Sequence, residues 1–141
     1  MARRGVQRLL VIKLSALGDF VLALAAMKRI RQAHPKAHIS LLTTPPFEAL
    51  AKASPYFNSV FTDGRPEGFA QWMALRTRLR AAHYERVYDL QTSAQSNRSF
   101  QIMRPGAPPW SGIAFGCSMP HRNPLRNQMH TLERQADQLM Y

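Results

Sequence analysis

Apolar positions along this chain follow two patterns, short continuous runs and repeats at helical spacing. Residues 8–14 (RLLVIKL) form a short apolar run with little alternation, which is typical of a strand covered on both faces in a parallel sheet. From Asp19 to Ala33, apolar side chains recur at helical spacing, with basic residues on the other side and in the final turns. The pattern predicts a strand and then an amphipathic helix, which ends before Pro35 because the residue preceding a proline avoids the helical conformation.

The same strand and helix pattern recurs as far as Leu90. Further strands are predicted at residues 38–44, 59–62 and 86–90, and further helices at residues 47–53 and 68–83. Strands that alternate with helices at this spacing indicate right-handed crossovers and a parallel sheet. The expected fold class is therefore α/β, a Rossmann-like doubly wound parallel sheet, in a single domain that spans residues 1–141.

The composition changes after Leu90. Residues 91–130 are rich in Ser, Asn, Pro and Gly, contain no carboxylate and include four arginines, which are Arg98, Arg104, Arg122 and Arg126. The pattern predicts a helix at 94–103, a fifth strand at 110–114 and a C-terminal helix at 131–140. A cationic, loop-rich segment that follows a parallel strand is a candidate anion-binding region.

Composition and charge narrow the class of protein. A chain of 141 residues, 45% hydrophobic and 19% charged, has the make-up of one globular domain. Its 19 basic residues, 15 of them arginine, outnumber the 8 acidic ones and give a net charge of +11. Nucleic acid, an acidic membrane surface and a phosphorylated small molecule all fit as anionic partners. A genome biased toward arginine would explain the same composition without any such partner.

The chain shows no sign of a membrane span or of an internal disulfide. Its longest clean apolar run, Phe20–Met27, has eight residues, well below the roughly 20 that a spanning helix needs. The basic, apolar start imitates a secretory signal, but Lys13 and Asp19 interrupt the apolar segment. The single Cys117 cannot form an internal bridge and indicates a reducing compartment. We expect a cytoplasmic location.

The most informative segment is the loop between the first strand and the first helix, Lys13-Leu-Ser15-Ala-Leu-Gly18-Asp19. In an open α/β sheet, ligands bind outside the carboxyl ends of the strands, so this loop is expected to face the binding crevice. Gly18 would permit a tight turn and the close approach of a ligand, and the helix N-terminus would favour a negative charge. The glycine patterns of dinucleotide-binding loops and of P-loops are both absent.

The loop residues have alternative roles that the pattern leaves open. Asp19 at a helix start is most often a cap that bonds a backbone N–H, but it could also be a general base for an acceptor hydroxyl. Lys13 could contact an anionic sugar or phosphate, or simply reach solvent at the end of its strand. Ser15 could bond either a ligand or the loop backbone.

Further candidates for substrate binding follow the fourth strand. Asp89 and Gln91 lie at its carboxyl end, where they either contact an acceptor or fasten the following loop. Arg98 is the nearest cation downstream. Arg122, together with Arg126, either faces a phosphate or keeps a proline-rich loop soluble. Histidines at metal-ligand spacing are lacking, so we expect no metal site.

Three segments carry a resemblance to a known family. RLLVIKLSALGDFVLALAAMKRIRQAHPKAHISLLTTPPF resembles the N-terminus of the heptosyltransferase family, the inverting glycosyltransferases that transfer heptose from ADP-heptose to the lipopolysaccharide core of Gram-negative bacteria. The shared order is a strand, a K-x-S-x-L-G-D loop, a helix, His-Pro and a second strand. Downstream, YERVYDLQTSAQSNR resembles the family's fourth strand and following loop, and His130 to Arg134 resemble its H-x-x-x-R element.

The resemblance implies a two-domain GT-B architecture, of which this chain corresponds to the N-terminal, acceptor-binding domain. In the family that domain supplies an aspartate as base, and Asp19 matches it. The implied partners are a lipopolysaccharide-core or other glycolipid acceptor, a nucleotide-sugar bound through a C-terminal domain absent from this chain, and an anionic membrane at the inner face of the inner membrane. No cofactor is implied beyond the nucleotide-sugar substrate, and the 141 residues alone are expected to be inactive.

One departure and one alternative accompany this resemblance. The family often carries a lysine shortly after the glutamine that matches Gln91, whereas this chain has Gln95 and then Arg98, which puts the usual phosphorylated acceptor in doubt. The alternative is a basic, non-catalytic module that binds nucleic acid or anionic lipid. No nucleic-acid motif is present, and aromatic residues do not interleave with the basic ones as a stacking surface requires, so no nucleic-acid partner is expected.

Overall fold

A single sheet of parallel strands organises the computed structural model, which describes residues 7–14, 17–104, 107–114, 117–121 and 131–140. The strands within these ranges are β1 (Arg8–Ile12), β2 (His38–Leu42), β3 (Ser59–Phe61), β4 (Arg86–Asp89), β5 (Trp110–Gly112) and β6 (Met119–Pro120). The helices are α1 (Leu17–Ala33), α2 (Glu48–Ala53), α3 (Gly68–Ala81), α4 (Ala94–Met103) and α5 (Thr131–Gln138), with a 3₁₀ turn at Pro45–Phe47 before α2.

The strand order places a topological switch point in the middle of the sheet. The order is β3-β2-β1-β4-β5-β6, and every neighbouring pair is parallel. The chain therefore builds outward from β1 in one direction and from β4 in the other. In the β1 and β4 register, Ile12 lies opposite Asp89 at the carboxyl ends of the two strands. The prediction of an α/β, Rossmann-like doubly wound sheet is confirmed.

Both faces of the sheet are covered, which explains why β1 lacks a polar alternation. Leu9 and Val11 belong to one buried cluster, which contains residues of α1 and α2. Leu10 and Ile12 belong to the other, which contains residues of α3 and α4. Because successive strand side chains point to opposite faces, a strand between two helical layers must be apolar at every position.

Helices α4 and α5 are held in place by side-chain hydrogen bonds near the carboxyl ends of the strands. The start of α4 carries a capping box, in which Ser93 and Ser96 each accept a hydrogen bond from the other's backbone N–H. Helix α5 contacts α1 and directs two buried amides, Gln135 and Gln138, at the ends of β4 and β5. Helix α5 therefore packs against the β4 and β5 side of the sheet.

The elements differ from the predicted ones in detail. Strand β6 was not predicted, because two residues are too short to show a period, and Pro120 is tolerated there at the sheet edge. Helix α1 begins at Leu17, two residues before the predicted start at Asp19. In the described ranges, no helix is long and apolar enough to cross a bilayer.

Candidate functional site

The switch point between β1 and β4 brings the predicted loop residues to one edge of the sheet. Lys13 directly follows β1, Asp89 ends β4, and Gln91 lies two residues beyond. The backbone N–H groups of Leu90 and Gln91 both donate to the carbonyl of Ile12, at 3.0 and 3.1 Å. The two strand ends are therefore held together, and the groups that follow them lie in the crevice position of an open α/β sheet.

Lys13 is buried beneath this edge, with 4% of its surface exposed. Of the two roles left open for Lys13, this burial contradicts the one in which the side chain reaches solvent, because the ends of β2 and β4 flank the residue and its own N–H donates to the carbonyl of Leu42. Burial lowers the pKa of Lys13, and the charges of Asp19 and Asp89 act in the opposite direction. Arg134 adds to the lowering of this pKa, so three charged groups surround one buried amine.

Asp89 is completely buried among hydrogen-bond donors. Its Oδ1 accepts a hydrogen bond of 2.8 Å from the backbone N–H of Thr92, and the Ser96 side chain and the Gln91 backbone also act on the carboxylate. Burial raises the pKa of Asp89 to about 6, against the lowering effects of the hydrogen bonds and of Lys13. This carboxyl group therefore keeps its proton to a higher pH than an exposed aspartate does.

Gln91 fastens the loop that follows β1. Its Oε1 accepts a hydrogen bond of 2.9 Å from the backbone N–H of Leu14. The carbonyl of Leu14 in turn accepts a bond of 2.7 Å from the hydroxyl of Thr44. Of the two roles considered for Asp89 and Gln91, the loop-fastening role is the one that these contacts show.

Asp19 lies at the opening of the same edge. It is the third residue of α1, within the first turn, and its side chain is exposed. A carboxylate there interacts favourably with the positive end of the helix dipole. Asp19 also acts electrostatically on Lys13. The exposed carboxylate of Asp19 is thus within electrostatic range of the buried Lys13 amine.

Gly18 does not form the tight turn that was predicted for it. It lies inside the first turn of α1, and a Cβ built on it would meet no atom within 4 Å. Gly64, which follows β3, is the glycine with a steric requirement here, since its Cβ would come within 2.3 Å of a Leu14 methyl group and 2.7 Å of the Thr43 carbonyl. The sequence showed only an Asp-Gly turn at that position.

Helix α5 contributes groups that the site prediction did not include. Arg134 is close enough to lower the pKa of Lys13. The Gln138 amide donates to the carbonyl oxygens of Asp89 and Ser111, at 3.0 and 3.3 Å. The H-x-x-x-R pattern was the one signal in the sequence that pointed to Arg134.

A surface cavity of about 400 Å³ opens beside Thr44, at the carboxyl ends of β2 and β3. Its polar lining includes Thr62, Asp63, Arg65, Glu67 and Gln71. Such hydroxyl, carboxylate and amide groups match the hydrogen-bonding needs of a polyhydroxy ligand.

The remaining predicted residues lie apart from this cluster or outside the described ranges. Arg98 is exposed on α4 and is not among the charges that act on Lys13. Ser15 and Arg122 fall outside the described residues. In the described ranges, no group of three or more His, Cys, Asp or Glu side chains could hold a metal ion.

Solved structures of glycosyltransferases share the α/β fold of this chain. A glycosyltransferase of family 9 from Veillonella parvula matches 99% of this chain with a TM-score of 0.78 and 17% identity. The heptosyltransferase WaaC of E. coli, solved with ADP, matches 92% of the chain with a TM-score of 0.65 and 21% identity. The ADP-heptose LPS heptosyltransferase II of E. coli matches 84%, with a TM-score of 0.64 and 20% identity.

These structural neighbours are of the kind that the sequence motifs indicated, and at these identities the likeness establishes the fold. The chain spans 43%, 44% and 36% of the three neighbouring chains, respectively. No protein-family model matches the sequence, and no curated protein does.

Proposed function

We propose that this chain is the acceptor-binding half of an inverting glycosyltransferase of the heptosyltransferase type. The proposed reaction moves a sugar from a nucleotide-sugar, ADP-heptose in the first instance, to a lipopolysaccharide-core glycolipid. The observation that carries the proposal is the position of Asp19, exposed in the first turn of α1 at the sheet's carboxyl edge, with the buried Lys13 behind it. The glycosyltransferase-like fold supports it.

In this mechanism Asp19 acts as the general base. Its carboxylate accepts the proton of an acceptor hydroxyl while the hydroxyl oxygen forms a bond to the anomeric carbon of the donor sugar. The bond between that carbon and the nucleoside diphosphate breaks on the opposite side, and the diphosphate leaves with the electron pair. The configuration at the anomeric carbon is therefore inverted.

Lys13 has an electrostatic part in this proposal. The charge of Asp19 raises the pKa of Lys13, so the two side chains interact electrostatically at this edge of the sheet. The bond made by Gln91 holds the loop that connects Lys13 to α1, and the bond made by Asp89 holds the turn after β4, so these two residues support the acceptor side indirectly. Ser15, Gly18, Arg98 and Arg122 are assigned to substrate binding as part of the same proposal.

The acceptor's sugar hydroxyls would occupy the cavity beside Thr44. Its lining offers hydroxyl, amide, carboxylate and guanidinium groups, with Asp63 paired to Arg78, and such groups can both donate to and accept from sugar hydroxyls. A hydroxyl-rich portion of the acceptor is therefore assigned to this cavity.

The proposal also covers the binding of the nucleotide-sugar donor and a contact with the membrane. In a longer protein the nucleotide-sugar would be held mainly by a second domain, as in two-domain transferases, and this chain alone would not catalyse transfer. No cofactor or metal ion is included in the mechanism. The net charge of +11 supports a peripheral contact with an anionic membrane that carries the glycolipid acceptor.

The test is sugar transfer from ADP-heptose by a two-domain protein that contains this domain. The substitution Asp19→Asn should lower kcat by about 10² to 10⁴, which is the usual contribution of a general base. Glu85→Gln, an exposed change outside the site, should leave kcat unchanged. Circular dichroism would verify that both variants are folded. Unchanged turnover in the folded Asp19→Asn variant would refute the base assignment.

A further inference from the structure

Helix α3 exposes apolar side chains on the face that points away from the core. Leu75 and Leu79 are buried on its inner side. Phe69 is 81% exposed and Met73 is 37% exposed. The outer face of a surface helix normally carries charged and polar residues. We call the outward positions the α3 face, and they are Phe69, Ala70, Met73, Ala74 and Thr77, all of which are exposed.

The charges of α3 are all of one sign. The helix contains three arginines, Arg76, Arg78 and Arg80, and no carboxylate. Arg76 and Arg80 donate to the carbonyl oxygens of Ile102 and Met103 near the end of α4, at 2.8 and 2.9 Å, whereas Arg78 forms an ion pair with Asp63. At 3.6 residues per turn, Arg76 and Arg78 lie on opposite flanks of the α3 face. The charge of Arg78 is balanced by Asp63, so the cationic border of the apolar strip is the flank that carries Arg76 and Arg80.

We propose that the α3 face docks on an anionic lipid bilayer. Phe69 and Met73 would enter the boundary between headgroups and acyl chains, and the flanking arginines would lie among the lipid phosphates. An apolar strip with basic borders is the pattern of helices that lie in the plane of a membrane interface. This inference names the surface for the membrane contact in the proposed function, but its test does not depend on transferase activity.

Charge distinguishes between the possible binding partners of the α3 face, which are a second copy of the chain, a nucleic acid and an anionic bilayer. A second copy of the chain carries the same net charge of +11 and would be repelled, and neither α3 has a carboxylate of its own to pair with the arginines of the other. A nucleic acid would match the arginines but would leave Phe69 and Met73 without an apolar partner. An anionic bilayer satisfies both the charge and the apolar side chains.

The experiment measures partition of the 141-residue chain onto vesicles by co-sedimentation. Vesicles of equimolar phosphatidylcholine and phosphatidylglycerol should bind the chain, with binding that falls as salt rises, and pure phosphatidylcholine should bind it less. Ala74→Glu should weaken binding about fivefold, the effect of one surface charge. Phe69→Ser should weaken it about tenfold by loss of apolar burial.

Two controls match these variants. Ala49→Glu adds the same charge at an exposed position of α2, and Leu17→Ser removes an apolar side chain that is 63% exposed on α1. Both should bind vesicles as the unmodified chain does.

All four positions are exposed, so each variant should keep the thermal unfolding curve of the unmodified chain. Ala74→Glu provides a second measurement if Phe69→Ser does not fold. The proposal is overturned if Ala74→Glu binds normally, if a control loses as much binding, or if Ala74→Glu abolishes self-association measured without lipid.

Discussion

Lys13 and Asp89 are buried at neighbouring strand ends, and each shifts the other's pKa toward the charged form. Desolvation acts against both, because burial penalises a charge of either sign. The pair therefore forms a buried, partly compensated charge centre behind the exposed carboxylate of Asp19. Its properties can be measured on the chain itself, whether or not the chain transfers sugar.

Asp89 should make the protein less stable as the pH rises from about 4 to about 6. Its pKa is 3.8 in the unfolded chain and about 6 in the folded one, so the folded state keeps the proton longer. Protonated Asp89 therefore contributes to the free energy of unfolding. This contribution is fully present below about pH 4 and is lost as the pH rises through 6, by about 3 kcal/mol in total. Urea unfolding across this range should show the loss in the unmodified chain and not in Asp89→Asn. If the free energies of unfolding of the two proteins changed with pH in parallel, burial would not raise the pKa of Asp89.

Replacement of Lys13 should raise the pKa of Asp89 further. Lys13→Met removes the cation that lowers the Asp89 pKa, while the desolvation of the carboxyl group stays. An NMR titration of the Asp89 carboxyl carbon should therefore give a midpoint above about 6. Lys36→Met, an exposed change, is the control and should leave the midpoint in place. A midpoint that stays or falls in Lys13→Met would show that the two groups do not interact.

Loss of the Gln91 side chain should loosen the loop after β1. Gln91→Ala leaves the buried N–H of Leu14 without its acceptor, at a cost of about 1 to 3 kcal/mol in the free energy of unfolding. Hydrogen exchange should become faster at the Leu14 amide in particular. Gln101→Ala, an exposed change in α4, should alter neither quantity. Unchanged protection of Leu14 would mean that this hydrogen bond does not hold the loop.

Two glycine substitutions should have opposite effects on stability. Gly64→Ala forces a Cβ against the Leu14 side chain and the Thr43 carbonyl, and should cost about 1 to 3 kcal/mol. Gly18→Ala places a methyl group in open space on a helix, and should stabilise by up to about 1 kcal/mol. Thermal and urea unfolding of both variants would measure the difference. If Gly64→Ala proved the more stable variant, the packing around Gly64 would be other than described.

The fold was largely predictable because the apolar pattern reports burial on two faces. The run RLLVIKL has no alternation since Leu9 and Leu10 enter different clusters, one on each side of the sheet. Helix α1 and its end before His34 could also be predicted, because helical spacing and the effect of a following proline are local features of the sequence. Strand β6 was missed because two residues, Met119 and Pro120, carry no period and owe their pairing to the neighbouring strand.

The site was predictable in its location and less so in its interactions. The rule that ligands bind at the carboxyl ends of parallel strands located Lys13, Asp19 and Asp89 at one edge. It did not reveal that Lys13 is buried, since burial depends on the neighbouring strand ends. Nor did it select Gly64, whose requirement for glycine comes from the distant Leu14.

The sequence by itself determined the order of strands and helices, the parallel sheet and the loop that faces the crevice, because hydrophobic period and turn residues act over a few neighbouring positions. Only the tertiary structure decided how charges and hydrogen bonds meet at that crevice. The desolvation of Asp89, the approach of Arg134 to Lys13 and the bond from Leu14 to Gln91 join residues far apart in the chain. Such pairings follow from strand order and packing, which no local pattern specifies.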